Sequence, residues 1–161
     1  MKLFTTVTLA LGASTFASGQ TVIMDQIGSM DGSDLSGGIT GCQDFEAAYD
    51  IYDIVTADSF TGNSDTISMV EMVLNGWNGF TDPSTVTAYT ANIYTDENAA
   101  AASLTGDIAT ESIDAADATQ SPDWTGDGFL ISVNISITAS VGDQLIGLIP
   151  TNDFATGGQT G

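Results

Sequence analysis

Oxygen-bearing side chains at alternate positions form the clearest candidate for chemistry in this chain. The segment from Asp123 to Gly128 places Asp123, Thr125 and Asp127 at its first, third and fifth positions, with a glycine at the sixth. The calcium loops of EF-hands use this spacing so that the oxygen atoms converge on one cation. EF-hand loops end on a bidentate glutamate at the twelfth position, however, and the twelfth position here is Asn134. The pattern therefore predicts a looser Ca²⁺ loop made by Asp123, Thr125, Asp127 and backbone carbonyls, or else an ordinary acidic turn.

Two further acidic segments could hold a cation in the same way. One contains Asp31 and Asp34, and the other contains Asp58, Asn63 and Asp65. Carboxylate and amide oxygens suit hard cations such as Ca²⁺. They are weaker candidates for calcium than the segment at Asp123.

Three aromatic residues are candidates for binding a sugar ring. Trp77, Tyr89 and Trp124 each combine an apolar ring with a polar atom. The same property suits an aromatic residue to the core or to packing on a sheet, and the sequence leaves both alternatives open. Paired carboxylates could also hydrolyse a glycosidic bond, but their separation in space is invisible in a sequence.

Residue types that are missing exclude several classes of function. The chain has no histidine, and Lys2 is its only basic side chain. A Ser-His-Asp arrangement and imidazole metal ligands are therefore excluded. Phosphate clamps, nucleic-acid binding and attraction to an anionic membrane all need positive charge, so we expect neither nucleic acid nor an anionic membrane as a partner.

The N-terminus has the pattern of a secretory signal peptide. Lys2 precedes the apolar stretch from Leu3 to Phe16, and small residues precede Gln20. We expect residues 1–19 to be removed and the protein to be secreted or held at the cell envelope. The mature chain would then carry 21 carboxylates and no basic side chain, so its acids must bind water, backbone N–H groups or dissolved cations.

The remaining length and composition predict one folded domain. Residues 20–150 contain the patterned segments, and residues 151–161 are expected to form a loop-like tail. The hydrophobic fraction of 42% is high enough to fill a core despite the charge. Cys42 is the only cysteine, which excludes an intrachain disulfide and suggests a small buried side chain.

Apolar runs separated by turn residues predict a β-rich fold. Strands are predicted at residues 21–24, 50–60, 67–74, 86–94, 129–139 and 144–149, with a helical turn at 96–103 and an edge strand or loop at 104–118. The Gly, Asn and Pro residues between 75 and 84 suggest that runs 67–74 and 86–94 pair as a hairpin. Imperfect alternation in segment 67–74 fits a strand covered on both faces or one with a bulge near Met69, and residues 61–65 are expected to be an exposed loop. The predicted fold is an all-β, antiparallel β-sandwich, jelly-roll-like, with one short helical turn.

The order of features resembles a family of secreted domains. A leader, the Asp25 to Gly28 start, Ala57 to Phe60, the run into Trp77 and the segment Ala91 to Asp96 together resemble uncharacterised secreted β-sandwich domains of planctomycete-type and other environmental bacteria. Such domains are often sorted to the envelope by a C-terminal Pro-Glu-Pro segment with a hydrophobic helix. No such tail follows Ile149 here, so we expect either a released protein or a reading frame that continues beyond Gly161.

The sequence favours a structural or surface-interaction role over catalysis. We expect a secreted acidic domain that contacts an extracellular glycan or an envelope protein. We also expect that Ca²⁺ can stabilise this domain. A carbohydrate-binding module is the alternative, and a carboxylate-dependent glycan hydrolase is the third hypothesis.

Overall fold

The computed structural model describes residues 21–35 and 40–161, and the predicted signal peptide at 1–19 lies outside them. Nine strands, two short helices and three 3-10 turns make up the described chain. The strands are β1 Asp58–Asn63, β2 Thr66–Leu74, β3 Gly76–Trp77, β4 Val86–Tyr94, β5 Ala109–Asp114, β6 Thr119–Gln120, β7 Phe129–Thr138, β8 Val141–Asn152 and β9 Gln159–Thr160. The helices are α1 Glu97–Ala102 and α2 Phe154–Gly157, and the 3-10 turns are Asp50–Tyr52, Pro83–Thr85 and Ala115–Asp117.

The strands form two antiparallel sheets and one short ribbon. The larger sheet has the order β1-β8-β4-β5, the smaller has the order β2-β7-β6, and β3 pairs with β9. Pairing is nested along the chain, because β1 pairs with β8, β2 with β7, and β4 with β5. Nesting of this kind results when one long hairpin is wrapped over two sheets, as in a jelly roll. The predicted all-β, jelly-roll-like sandwich is confirmed.

Alternating side chains of β4 and β7 form the centre of the core. Ile131, Val133, Ile135 and Ile137 of β7 are all buried, and Tyr89, Ala91 and Ile93 of β4 lie in the same cluster. This period of two is the strict alternation expected of strands with one buried face. Complete burial of one such aliphatic side chain contributes about 2 kcal/mol.

Several predicted elements are confirmed with small changes of boundary. Of the two explanations for the imperfect alternation, the bulge is present: the register of β2 against β7 shifts between Ile67 and Met69. Segment 104–118 contains the edge strand β5. The helical turn is α1, which begins where the Asp96 carboxylate accepts hydrogen bonds from the N–H groups of Asn98 and Ala99, at 2.9 and 3.0 Å. The connection between β2 and β4 contains Asn78 and Gly79 at positive φ, as its composition suggested.

The predicted hairpin between segments 67–74 and 86–94 is wrong. These segments are β2 and β4, and they lie in different sheets, where β2 pairs with β7 and β4 with β5 and β8. The turn residues between them carry the chain from one sheet to the other through β3 and a 3-10 turn. Local turn chemistry identified a reversal, but the partner of each strand is set by segments far away in sequence.

Three predicted strand boundaries are also wrong. Residues 21–24 form no strand, and Val22 and Ile23 are exposed. Segment 50–60 begins as a 3-10 turn, and its strand is β1, which continues through the expected loop to Asn63. The last predicted strand, 144–149, is longer at both ends, since β8 pairs with β1 from Val141 and with β4 as far as Asn152.

Residues 151–161 are not a loop-like tail. They complete β8, form α2 and end in β9, which pairs with β3. Thr160 is fully buried, and its N–H donates to Oε1 of the buried Gln43 at 2.7 Å. The chain end is therefore tied to the interior by a polar network. No helix in the described part of the chain is long and apolar enough to cross a membrane.

Candidate binding surface

The segment predicted to bind Ca²⁺ packs against the loop that begins the described chain. The backbone N–H and hydroxyl of Thr125 both donate to the carbonyl of Met30, at 2.9 and 3.4 Å. The indole N–H of Trp124 donates to the carbonyl of Asp127 at 3.3 Å. Within residues 21–35 and 40–161, no group of three His, Cys, Asp or Glu side chains could hold a metal ion. The structure adds no support to calcium binding by Asp123, Thr125 and Asp127, which stays a prediction.

The weaker acidic candidates hold turns instead of converging on a shared point. Asp31 accepts from the N–H of Ser33 at 2.9 Å, and its hydrogen bonds to Ser33 lower the pKa of the carboxyl. Asp34 accepts from both the N–H and the hydroxyl of Ser29. Asp58 accepts from the N–H of Ser59 at 3.0 Å, at the start of β1. These carboxylates are satisfied by backbone donors, as the absence of basic partners requires.

The three predicted sugar-binding aromatics lie in three different parts of the molecule. Trp77 is half-buried in the ribbon of β3 and β9, and Trp124 is half-buried in loop 123–128. Tyr89 is only 1% exposed and belongs to the core, so the faces of its ring are closed to a stacking ligand. The structure thus does not bring the three residues together into one sugar platform.

A different set of apolar side chains is presented to solvent at residues 49–54. Ile51 is 85% exposed and Tyr52 is 57% exposed, with Tyr49 and Ile54 at 37% each. The rings of Tyr49 and Tyr52 are 6.4 Å apart between centroids. We call these four residues the tyrosine surface. Contiguous exposed apolar side chains on a soluble domain mark an interaction site more often than single ones do.

Backbone hydrogen bonds fix the segment that carries the tyrosine surface. The N–H of Tyr52 donates to the carbonyl of Tyr49 at 2.8 Å, which closes the 3-10 turn. Ile54 exchanges two backbone hydrogen bonds with Gln43, both of 3.0 Å. Asp53 accepts from the N–H of Phe45 at 2.9 Å. The exposed side chains are therefore held by a defined backbone, which reduces the entropy lost when a partner binds.

The C-terminal helix supports the same segment from behind. The Tyr49 ring meets the ring of Phe154 edge-on, with 5.6 Å between centroids, and Phe45 lies 6.3 Å from Phe154. Glu46 accepts a hydrogen bond of 2.8 Å from the N–H of Phe154. Edge-on aromatic pairs add about 1 kcal/mol beyond the area that they bury. The tyrosine surface thus depends on residues close to the end of the chain.

An acidic groove borders the tyrosine surface. It has a volume of about 550 Å³ and lies between residues 50–57, helix α1 and β8. Its charged lining consists of Asp50, Asp53 and Glu97, and alanines of α1 form an apolar wall. Burial raises the pKa of the Asp53 carboxyl, and the neighbouring carboxylates of Asp44 and Asp50 raise it further. The groove can accept hydrogen bonds and attract positive charge, but it has no cationic side chain with which to hold an anion.

Sequence reasoning did not identify the tyrosine surface, because it assigned residues 50–60 to a strand. One signal was available: the apolar pair Ile51-Tyr52 lies between Asp50 and Asp53. In a strand, adjacent residues point to opposite faces, so an acid on each side of an apolar pair leaves neither face apolar. In a 3-10 turn, by contrast, both apolar side chains can point outwards.

No family model matches this chain, and neither the curated proteins nor the solved structures gave a match. The resemblance to secreted sandwich domains of environmental bacteria therefore stays a prediction. Function is inferred from the residues and geometry of the chain itself.

Proposed function

We propose that this protein is a secreted, non-catalytic interaction domain that contacts a partner at the cell surface through the tyrosine surface. The observation that carries this proposal is the exposure of Ile51 and Tyr52 on a segment that the backbone holds in place. Tyrosine is enriched at protein interfaces because it offers a large apolar area together with one hydroxyl. The sandwich serves as the scaffold on which this surface is displayed.

The charge of the chain limits the partners that fit. Residues 21–161 contain 21 carboxylates and no Lys, Arg or His. Approach to nucleic acid or to an anionic membrane would be repelled, whereas an uncharged glycan or a basic patch on an envelope protein would not. An extracellular partner of this kind agrees with the leader expected at residues 1–19.

Sedimentation with cell envelopes tests the proposal. Envelopes isolated from the source organism should retain the purified protein, and the double variant Ile51→Ser/Tyr52→Ser should lose at least about tenfold in retention, since interface anchors contribute 1–2 kcal/mol or more each. Val141→Ser is the matched control, because Val141 is 78% exposed and lies at the start of β8. Equal retention of the double variant and the control would show that the tyrosine surface is not the contact.

Glycan binding is the second candidate function. It is favoured by the position of Tyr52 beside the groove that Asp50 and Asp53 line, because sugar rings stack on tyrosine and donate hydroxyls to carboxylates. A glycan array, probed with the wild type and with Tyr52→Ala, distinguishes this function from protein binding. Release of reducing sugar that disappears in Asp53→Asn would instead support the third hypothesis, a glycan hydrolase.

A further inference from the structure

A second cavity lies between the two sheets, at the end of the sandwich where β4 and β7 begin. It has a volume of about 300 Å³, at the small end of the range for small-molecule sites. The 3-10 turns at 83–85 and 115–117 border it, and β6 lies at its edge. Its lining contains Asp82, Ser84, Tyr89 and Gln120, together with apolar groups of Pro83, Ala115, Ala118 and Ile131. We call it the sandwich-end cleft.

Tyr89 places a hydroxyl at the wall of this cleft. The residue is 99% buried, yet its hydroxyl makes no hydrogen bond within the described residues, and desolvation alone raises its pKa to about 12. By contrast, the equally buried Tyr94 donates its hydroxyl to the carbonyl of Leu104 at 3.0 Å. A buried tyrosine hydroxyl normally finds a partner. That of Tyr89 is not among the fully buried atoms that lack a partner, so it reaches the open space of the cleft, where water or a ligand can bond to it.

The other polar groups define what those contents can be. Gln120 lines the cleft with an amide that both donates and accepts, and Asp82 adds a carboxylate. The Asp82 carboxylate is already fixed, because Oδ1 accepts from the N–H of Ser84 at 2.8 Å. No cationic group lines the cleft, which disfavours a phosphate, a sulfate or a carboxylate as ligand.

We propose that the sandwich-end cleft binds one neutral pyranose ring, with the Tyr89 hydroxyl and the Gln120 amide as its hydrogen-bonding partners. A pyranose combines an apolar C–H face with a rim of hydroxyls that both donate and accept. The alanine and isoleucine groups match the first feature, and Tyr89, Gln120 and Asp82 match the second. This site is separate from the tyrosine surface and does not depend on that proposal. It also differs from the stacking role expected of Tyr89, since the ring is packed in the core and only the hydroxyl is free.

Titration of ¹⁵N-labelled protein with methyl glycosides tests this site. The probes are the methyl pyranosides of glucose, galactose and mannose, with glucuronic acid and glucosamine as charged comparisons. We expect saturable shifts at residues 82–84 and 115–120 with at least one neutral pyranoside, and weaker binding of glucuronic acid. Tyr89→Phe and Gln120→Ala should each weaken binding about fivefold, the effect of one neutral hydrogen bond.

Two further variants separate binding from folding. Tyr94→Phe removes the hydroxyl of a second buried tyrosine, so it should lower thermal stability and leave sugar affinity unchanged. Ala118→Leu fills the cleft from its half-exposed edge and should abolish binding while the protein remains folded by circular dichroism. The proposal is overturned if no neutral pyranoside gives saturable shifts, if only glucosamine binds, if the shifts map to residues 49–54, or if Tyr89→Phe retains full affinity.

Discussion

At the scale of single residues, the fold shows how acids are accommodated without basic partners. Asp107 accepts from the N–H of Thr95 at 2.8 Å and from its hydroxyl at 2.5 Å. These hydrogen bonds favour the ionised form and lower the pKa of Asp107. Asp53 lies in the opposite situation, since burial raises its pKa and the acids Asp44 and Asp50 add to the effect. The surroundings of these two carboxyl groups thus shift their pKa values in opposite directions.

These opposite shifts predict opposite effects of neutralisation. Because the pKa of Asp53 is raised, the folded state holds this proton to a higher pH than the unfolded state does. The proton therefore stabilises the fold at low pH, and this contribution to the free energy of unfolding is lost as the pH rises above the ordinary pKa of an aspartate. Asp53→Asn should therefore raise the melting temperature at pH 7, because the amide oxygen still accepts from Phe45. Asp107 has a lowered pKa, so its stability is present at neutral pH and is lost as pH falls through the lowered value.

Asp107→Asn is therefore the matched control, and it should lower the melting temperature at pH 7. Thermal melting at pH 7 and pH 3 measures both variants. Both differences should shrink as the pH falls to 3, because Asp53, whose pKa is raised, gains its proton and Asp107 loses its stabilising effect as the pH falls through its lowered pKa. Melting temperatures that move in the same direction for both variants at pH 7 would contradict this account.

Residue type alone separated core from surface aromatics poorly. Tyr89, Trp77 and Trp124 were equivalent candidates in the sequence, but the structure closes the ring faces of Tyr89 and leaves the two tryptophans half-buried. Tyr52 stood in an expected strand and is instead among the most exposed large side chains. The exposure of an aromatic ring is decided by which sheet face covers it, and that information is non-local.

At the scale of elements, periodicity identified the strands but not their partners. The regular alternation in β7 and the alternation in β4 were sufficient to place both strands. The pairing of β4 with β8 joins residues more than 50 positions apart, which no local pattern encodes. The prediction of a loop at residues 151–161 was wrong for the same reason. Their glycines and polar residues are typical of a loop, and the partners that order them, Gln43 and β3, are far away in sequence.

Gln43 is the residue on which the C-terminal segment depends. Its amide nitrogen donates to the carbonyls of Asn152 and Gly158, at 2.5 and 3.3 Å, and its amide oxygen accepts from the N–H and hydroxyl of Thr160. Gln43 is fully buried. One side chain therefore connects the end of β8, the residue that follows α2, and β9.

Replacement of Gln43 should destabilise the whole protein. Gln43→Ala leaves four buried backbone or hydroxyl groups without this partner, and we expect a loss of about 2–4 kcal/mol in the free energy of unfolding. Urea denaturation followed by tryptophan fluorescence measures the change. Gln26→Ala is the control, because Gln26 is exposed and its substitution should change stability by less than about 0.5 kcal/mol. Similar values for the two variants would mean that the network does not hold the C-terminal segment.

At the scale of the whole molecule, the fold combines an ordinary apolar core with an unbalanced surface. The core resembles that of any sandwich, with side chains of both sheets interleaved. The carboxylates lie mostly on the outside, where hydrogen bonds satisfy several of them, and residues 21–161 contain no basic side chain that could pair with them. Mutual repulsion of these charges is relieved when the chain expands, so it opposes folding and is weakened by dissolved salt.

Thermal stability should therefore rise with ionic strength. Between about 0.01 and 0.5 M NaCl, the Debye length falls from about 30 Å to only a few ångströms, so we expect the melting temperature to rise by about 5 °C or more. CaCl₂ should raise it further, because carboxylate oxygens bind Ca²⁺ directly. MgCl₂ at equal ionic strength is the control for general screening by divalent cations.

Differential scanning calorimetry in the three salts measures these effects, and the double variant Asp123→Asn/Asp127→Asn assigns any calcium-specific increment. If loop 123–128 binds Ca²⁺, the variant should lose the difference between CaCl₂ and MgCl₂ but keep the response to NaCl. If CaCl₂ and MgCl₂ are equivalent in the wild type, calcium acts only as a counterion and the loop is an ordinary acidic turn. Melting temperatures that stay constant in all three salts would contradict the view that repulsion among the 21 carboxylates limits the stability of this fold.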